Sequence, residues 1–126
     1  MTFRTNVPAI EDMIEYGGRT LAYLDGSSAA ELAADKMRSD AVAHASLVMG
    51  EACKRLPDAI RLRFPEVPWK EIARTRDRLI HHYHGVDWAV VHDIVTVHIP
   101  DAPLKLGAIR NLLLAEEPPP PGETPG

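Results

Sequence analysis

The sequence predicts an all-α fold, an antiparallel helical bundle. Aromatic residues make up only 6% of the chain, so the core must be built mainly from Ala, Leu, Ile, Val and Met, a composition that suits helices better than sheets. Apolar residues recur at helical spacing in several stretches, and short Pro- or Gly-containing segments separate these stretches. Long helices joined by short loops are typical of antiparallel bundles.

The first half of the chain predicts two long helices. The first spans Val7 to Leu24, with Pro8 in its opening turn, and a turn follows at Asp25 and Gly26. Ser28 and Glu31 have the spacing of a capping box and predict the start of the second helix, Ala29 to Leu56. A stripe at i, i+4 and i+7 spacing gives that helix its core face: Ala41, Ala45, Val48, Ala52 and Leu56.

Pro57 ends this helix, and a short helix from Asp58 to Phe64 and the loop Pro65 to Pro68 are expected to follow. A third long helix is predicted from Trp69 to Tyr83, with Ile72, Ile80 and part of Leu79 toward the core.

Gly85 is suited to end that helix, and Asp87 to cap a fourth long helix, Trp88 to His98. Its β-branched residues make a strand the rival interpretation, but apolar spacing favours a helix. Pro100 breaks this helix, and the last amphipathic helix is predicted from Pro103 to Ala115.

The chain is expected to form one bundle domain, residues 1–115, followed by a flexible tail, residues 116–126. Five of the eleven tail residues are proline, and such a segment cannot bury enough apolar surface to fold alone.

Charge and cysteine content limit the possible functions. The formal charge of −4 opposes nucleic-acid binding, but basic residues concentrate between Lys54 and Arg78. The lone cysteine, Cys53, permits no intrachain disulfide and is interpreted as a buried apolar residue rather than a nucleophile. Without a signal peptide or an apolar run of about 18 residues, a cytoplasmic location and no membrane association are expected.

The segment from Arg76 to Gly85 carries the residues best suited to chemistry. Asp77 and His81 are four residues apart on one helix, so the carboxylate is placed to orient the imidazole and favour its charged form. An arginine with a histidine suits RNA cleavage, since His81 can move a proton while Arg76 stabilises the phosphorane charge. By spacing alone, a solvated helix face explains this pair better.

Other residues have competing interpretations. His81 and His84 are spaced to share a metal ion, but no acidic or cysteine partner completes such a site, so neither a metal nor another cofactor is expected. Arg74 and Arg78 share a face and serve equally well as substrate-steering residues or as a solvated stripe. Trp69 and Trp88 are interpreted as packing anchors.

In sequence, Arg76, His81 and Tyr83 match the Arg-x4-His-x-Tyr motif, and the chain resembles the HepT-like toxins of the HEPN superfamily. The similarity extends from about Leu21 to Leu114. Before the motif it includes Met49-Gly50-Glu51-Ala52, Leu56, Pro65, Pro68-Trp69 and Ile72-Ala73, and after it Gly85-Val86-Asp87, Trp88 and Val91. Asp77 departs from the family pattern, which often has Asn after the arginine, and places a negative charge beside the expected phosphate.

The resemblance implies a symmetric homodimer in which two motifs line one cleft. It implies a metal-independent endoribonuclease, cutting tRNA or mRNA by 2′-hydroxyl attack to leave a 2′,3′-cyclic phosphate, with Arg76 and His81 as the catalytic pair. Tyr83 matches the tyrosine that an MntA-like nucleotidyltransferase antitoxin modifies with AMP to silence the toxin. The alternative is a HEPN dimer that binds a nucleotidyltransferase or a nucleotide and cleaves nothing.

Overall fold

The computed structural model describes residues 3–81 and 85–116, and this part of the chain is an all-α bundle without strands. A 3-10 turn, Arg4–Asn6, precedes seven α-helices. They are α1 (Val7–Leu24), α2 (Ala29–Ala34), α3 (Lys36–Arg55), α4 (Asp58–Arg63), α5 (Trp69–His81), α6 (Trp88–His98) and α7 (Ala102–Glu116). The predicted fold class is therefore confirmed.

The core lies between α1, α3, α5 and α7. Helix α1 packs against both α3 and α7, and α3 packs against α5 on its other side. Helix α6 closes the bundle against α2 and α5. Large apolar side chains from these helices are fully buried, including Ile10, Met13, Met49, Ile72 and Leu106.

The predicted continuous helix from Ala29 to Leu56 is wrong, because the chain breaks at Asp35. This residue has extended backbone angles, φ −101° and ψ 99°, and its side chain accepts a hydrogen bond from the Arg38 backbone N–H at 3.1 Å. Asp35 thus ends α2 and caps α3, and α2 becomes a separate helix that packs on α6. The capping box of Ser28 and Glu31 is confirmed, and its hydrogen bonds lower the pKa of the Glu31 carboxyl.

Two other predictions differ in outcome. The segment Trp88–His98 is a helix rather than a strand, and the Asp87 carboxylate caps it by accepting from the N–H groups of Ala89 and Val90. The orientation predicted for the end of α5 was wrong: Ile80 is 41% exposed, whereas Leu79 is buried at 5%. Successive residues of an α-helix are rotated by about 100° around its axis. A small error in predicting which face is buried therefore assigns the wrong one of two neighbouring residues to the core.

The first helix has the predicted bounds, and α4 and α7 agree with prediction to within one residue at each end. The predicted end of α5 at Tyr83 and most of the predicted tail lie outside the described residues. None of the helices described is long and apolar enough to cross a membrane.

Candidate active site at the contact between α3 and α5

Gly50 allows α3 and α5 to approach each other closely. A Cβ atom placed on Gly50 would lie 2.3 Å from the Cβ of Arg76 and 3.3 Å from the carbonyl oxygen of Ile72. Only a residue without a side chain fits such a contact, because carbon atoms pack at about 3.5–4.0 Å. The first carbons of Arg76 therefore lie directly on the backbone of α3.

The Arg76 guanidinium is held by two carboxylates. Its Nε donates to Glu51 Oε1 at 3.0 Å, and its Nη2 lies 2.9 Å from the same oxygen. Its Nη1 donates to Asp77 Oδ1 at 3.1 Å. The hydrogen bonds with Glu51, and then those with Asp77, raise the pKa of Arg76 and keep it charged.

Asp77 also binds Lys54 from α3. Lys54 Nζ donates to Asp77 Oδ1 at 2.6 Å, and this bond is the main reason why the pKa of Asp77 is lowered, with Arg76 contributing less. We call the four residues Lys54, Asp77, Arg76 and Glu51 the charge cluster. The sequence predicted that Asp77 would orient His81, but among the described residues the Asp77 carboxylate binds only Lys54 and Arg76.

His81 is the last residue of α5 and is exposed. The five-residue offset from Arg76 corresponds to about 7.5 Å along the helix axis and about 140° around it. The two residues therefore lie on one helix but point in different directions. Tyr83 lies outside the described residues.

Two grooves flank α5. The first, the α4–α5 groove, has a volume of about 590 Å³, and its lining includes Arg61, Leu62, Lys70, Arg74 and Asp77. The second, the α3–α5 groove, has a volume of about 870 Å³, and its lining includes Lys36, His44, Leu47, Ile80 and Trp88. Asp77, next to Arg76, lines the first groove, and Ile80, next to His81, lines the second.

Arg74 and Arg78, predicted to share a face, line different cavities. Arg74 lies in the α4–α5 groove and pairs with Glu71 at 3.3 Å. Arg78 lines a smaller cavity of about 200 Å³ with Val86 and Asp87.

Packing explains several of the remaining candidates. Trp69 is buried and donates from Nε1 to the carbonyl of Phe64 at 2.8 Å, so it is a packing anchor as predicted. Cys53 is buried, as predicted, and burial raises the pKa of its thiol to about 11, which disfavours the thiolate. His92 is hydrogen-bonded to the carbonyl of Ser27 at 2.8 Å. Among the described residues, no cluster of His, Cys, Asp and Glu is arranged to hold a metal ion.

Sequence reasoning missed the α3 half of the charge cluster. Glu51 and Lys54 stand 25 and 23 residues before their α5 partners, so only the fold brings them together. The available signal was the string Met49-Gly50-Glu51-Ala52, which combines a mid-helix glycine with an adjacent carboxylate.

Comparison with known proteins places this chain in a family. The family described as Ribonuclease HepT-like matches residues 13–109. A "Putative RNase" of Methanocaldococcus jannaschii is 44% identical over 71 residues, which cover 56% of this chain and 59% of that protein. The "Probable ribonuclease HepT" of Thermococcus cleftensis is 42% identical over 76 residues, covering 60% of this chain and 69% of its own.

A further relative extends the similarity over more of the chain. A "Putative RNase" of Caldanaerobacter subterraneus is 32% identical over 98 residues, which cover 78% of this chain and 88% of that protein. No solved structure matches the chain at a significant level. The family match spans most of the bundle, including both α3 and α5, and the chain therefore belongs to the Ribonuclease HepT-like family.

Proposed function

We propose that the protein is the toxin of a toxin–antitoxin pair and acts as a metal-independent endoribonuclease on tRNA or mRNA. The observation that carries the proposal is the position of Arg76 and His81 on one helix within the family match, with the Arg76 guanidinium bound to Glu51 of α3. The names of the relatives support an RNA substrate.

The proposed reaction is a transesterification. The 2′-oxygen attacks phosphorus and loses its proton to a base, the bond to the 5′-oxygen breaks, and an acid supplies the proton that this oxygen needs. The products are a 2′,3′-cyclic phosphate and a free 5′-hydroxyl. His81 is assigned to one proton transfer, and Arg76 stabilises the charge on the phosphoryl oxygens.

A symmetric homodimer supplies the second proton-transfer group that one chain lacks in this scheme. One histidine performs one of the two proton transfers, and His81 points about 140° away from Arg76 around α5. An isologous interface brings a second copy of the same surface to the first, so Arg76 and His81 from two chains can face one phosphodiester. We therefore place the cleavage site between two copies of α5.

Cleavage in excess EDTA tests the proposal. The purified, unmodified protein is incubated with tRNA and with mRNA beside Arg76→Ala and His81→Ala, with Arg110→Ala and His98→Ala as matched controls on other helices. Cleavage with cyclic-phosphate ends by the parent and both controls, and its loss in the two α5 variants, is expected. Intact RNA with every protein, or equal cleavage by all five, would overturn the assignment.

Silencing of the proposed ribonuclease is assigned to modification of Tyr83 with AMP. Incubation with ATP and an MntA-like nucleotidyltransferase is expected to add AMP to the parent but not to Tyr83→Phe, as mass spectrometry will show. The modified parent should no longer cleave RNA.

The alternative is a non-catalytic dimer that binds a nucleotidyltransferase or a nucleotide. The charge cluster favours it, because Glu51 and Asp77 already occupy the guanidinium that a phosphate would need. Binding of the nucleotidyltransferase without RNA cleavage by the unmodified protein would establish this alternative.

A further inference from the structure

We infer that the α4–α5 groove binds the phosphate backbone of a single RNA strand and guides it to Arg76. The inference rests on the proposed ribonuclease function and adds the surface along which the substrate lies. Charge distribution, groove geometry and the exposed Lys70 in the lining support it.

Positive charge is concentrated in one part of an acidic chain. Residues 54–78 contain eight Lys and Arg against four Asp and Glu, a net charge of +4. The rest of the chain contains six against fourteen, a net charge of −8. An overall charge of −4 therefore conceals a basic region, and phosphate binding depends on such a region rather than on the total.

Three of the eight basic residues in this segment line one groove. The segment runs from the end of α3 through α4 to α5. Helices α4 and α5 form the two walls of the groove, with Arg61 on the first wall and Lys70 and Arg74 on the second. Two acids, Asp58 and Asp77, also line it, but each is already paired, with Arg61 and with Lys54 and Arg76.

The three lining cations differ in the donors that they offer to a phosphate. Lys70 is exposed and makes no ion pair within the described residues. The Nε of Arg61 is buried without a hydrogen-bond partner in the part of the chain that the structure describes. This Nε is closed to a phosphate, while Arg61 pairs with Asp58 and Arg74 with Glu71. Lys70 is therefore the lining cation that a phosphate oxygen can bind without breaking an ion pair.

The groove also leads to the candidate active site. Asp77 forms part of its lining and binds Arg76 directly, so the groove ends at the charge cluster. From Lys70 to His81, α5 rises about 16 Å, at about 1.5 Å per residue. Lys70, Arg74 and Asp77 share one face of α5, so a strand lying along this face would pass Lys70 and Arg74 before it reaches Asp77, whose carboxylate binds Arg76. Leu62, on the α4 wall, is 80% exposed and offers an apolar surface to a base.

Binding of an RNA that cannot be cleaved tests the groove separately from catalysis. A fluorescently labelled 2′-O-methyl oligonucleotide lacks the attacking hydroxyl, and anisotropy at several salt concentrations gives its affinity and salt dependence. The variants are Lys70→Ala and the double variant Lys70→Ala with Arg74→Ala. Lys36→Ala is the matched control, because Lys36 is an exposed lysine that lines the α3–α5 groove instead.

Each groove substitution should lower the affinity for the oligonucleotide. It should also make the plot of log association constant against log salt concentration less steep, by about 0.7 per cation removed. The Lys36→Ala control should bind like the parent. Circular dichroism will check that each variant is folded. Parent-like binding by the double variant, or a loss of affinity in Lys36→Ala alone, would overturn the inference.

The outcomes also separate the inference from the proposed function. If the groove variants lose affinity while the parent cleaves no RNA, the groove binds RNA but the ribonuclease proposal fails. If the parent cleaves RNA and the double variant binds and cleaves like it, the ribonuclease proposal holds and the groove inference fails. An acidic protein that binds the parent but not the double variant, with no binding of the oligonucleotide, would assign the groove to a protein partner instead.

Discussion

Replacement of Gly50 by alanine is expected to push α3 and α5 apart. The added Cβ would lie 2.3 Å from the Cβ of Arg76 and 3.0 Å from its Cγ, whereas carbon atoms pack at about 3.5–4.0 Å. Relief of this clash requires a movement of at least about 1 Å. Because the obstructing Cβ is fixed to the α5 backbone, rotation of the Arg76 side chain does not remove the overlap.

Gly18→Ala is the matched control. Gly18 is an exposed residue within α1, and nothing lies within 4 Å of the position that a Cβ atom on Gly18 would take. Both substitutions gain the helix preference of alanine over glycine, about 1 kcal/mol. They differ in the overpacking penalty, about 1–3 kcal/mol, which applies only at Gly50. Gly18→Ala should therefore stabilise the protein, and Gly50→Ala should be about 1–3 kcal/mol less stable than Gly18→Ala.

Urea unfolding followed by circular dichroism measures both free energies of unfolding. A movement of α5 should also lengthen the contact between Arg76 and Glu51, so Gly50→Ala is expected to bind RNA differently from the parent, while Gly18→Ala should not. Equal stabilisation by the two substitutions would show that α3 and α5 are not in the close contact described and would refute the reasoning.

Three further predictions concern Cys53, Asp87 and Glu51. Burial raises the Cys53 pKa from its ordinary value of 9.0 to about 11, so the thiol should resist alkylation at neutral pH in the folded protein but not in urea. Since the pKa is higher in the folded than in the unfolded protein, the neutral thiol's contribution to the free energy of unfolding is complete below pH 9. It is lost as the pH rises toward 11, which lowers the free energy of unfolding by about 2–3 kcal/mol. Urea unfolding at alkaline pH, with the parent and with Cys53→Ala, will measure this loss, and equal pH profiles for the two proteins would contradict the prediction. Asp87→Ala removes the cap of α6 and should cost about 1 kcal/mol, whereas Asp93→Ala on the exposed face of the same helix should change stability by less than about 0.5 kcal/mol; equal losses in urea unfolding would exclude a capping role. Glu51→Gln removes a negative charge from the Arg76 guanidinium and should tighten binding of the 2′-O-methyl RNA; weaker binding would show instead that Glu51 holds Arg76 in its binding geometry.

The sequence predicted most of the fold because its local signals are strong. Asp87 identified the start of α6, and Ser28 with Glu31 identified the start of α2. The break at Asp35 was missed because the surrounding Ala-rich sequence has high helix propensity on both sides. The contact of α2 with α6, which separates it from α3, is a property of the folded chain.

The site was only half predictable, for a similar reason. Arg76 and His81 stand in a recognisable local pattern, but Glu51 and Lys54, which complete the charge cluster around Arg76, come from α3. The sequence predicted that Asp77 would act on His81, four residues away. In the fold a lysine from α3 lies 2.6 Å from that carboxylate, and a long-range ion pair takes the place of the local contact.

Lys54 changes the effect of the Asp77 charge on phosphate binding. A carboxylate next to the motif arginine would repel a phosphodiester if it were isolated, but Asp77 is bound by both Arg76 and Lys54. If the Arg76 guanidinium turns from the carboxylates to a phosphate, Lys54 still balances the charge of Asp77. The stem of Arg76 remains against Gly50 during such an exchange, since only the outer part of the side chain carries the bonds to Glu51 and Asp77. The departure from the family pattern at Asp77 is therefore compatible with phosphate binding, because α3 supplies the compensating cation.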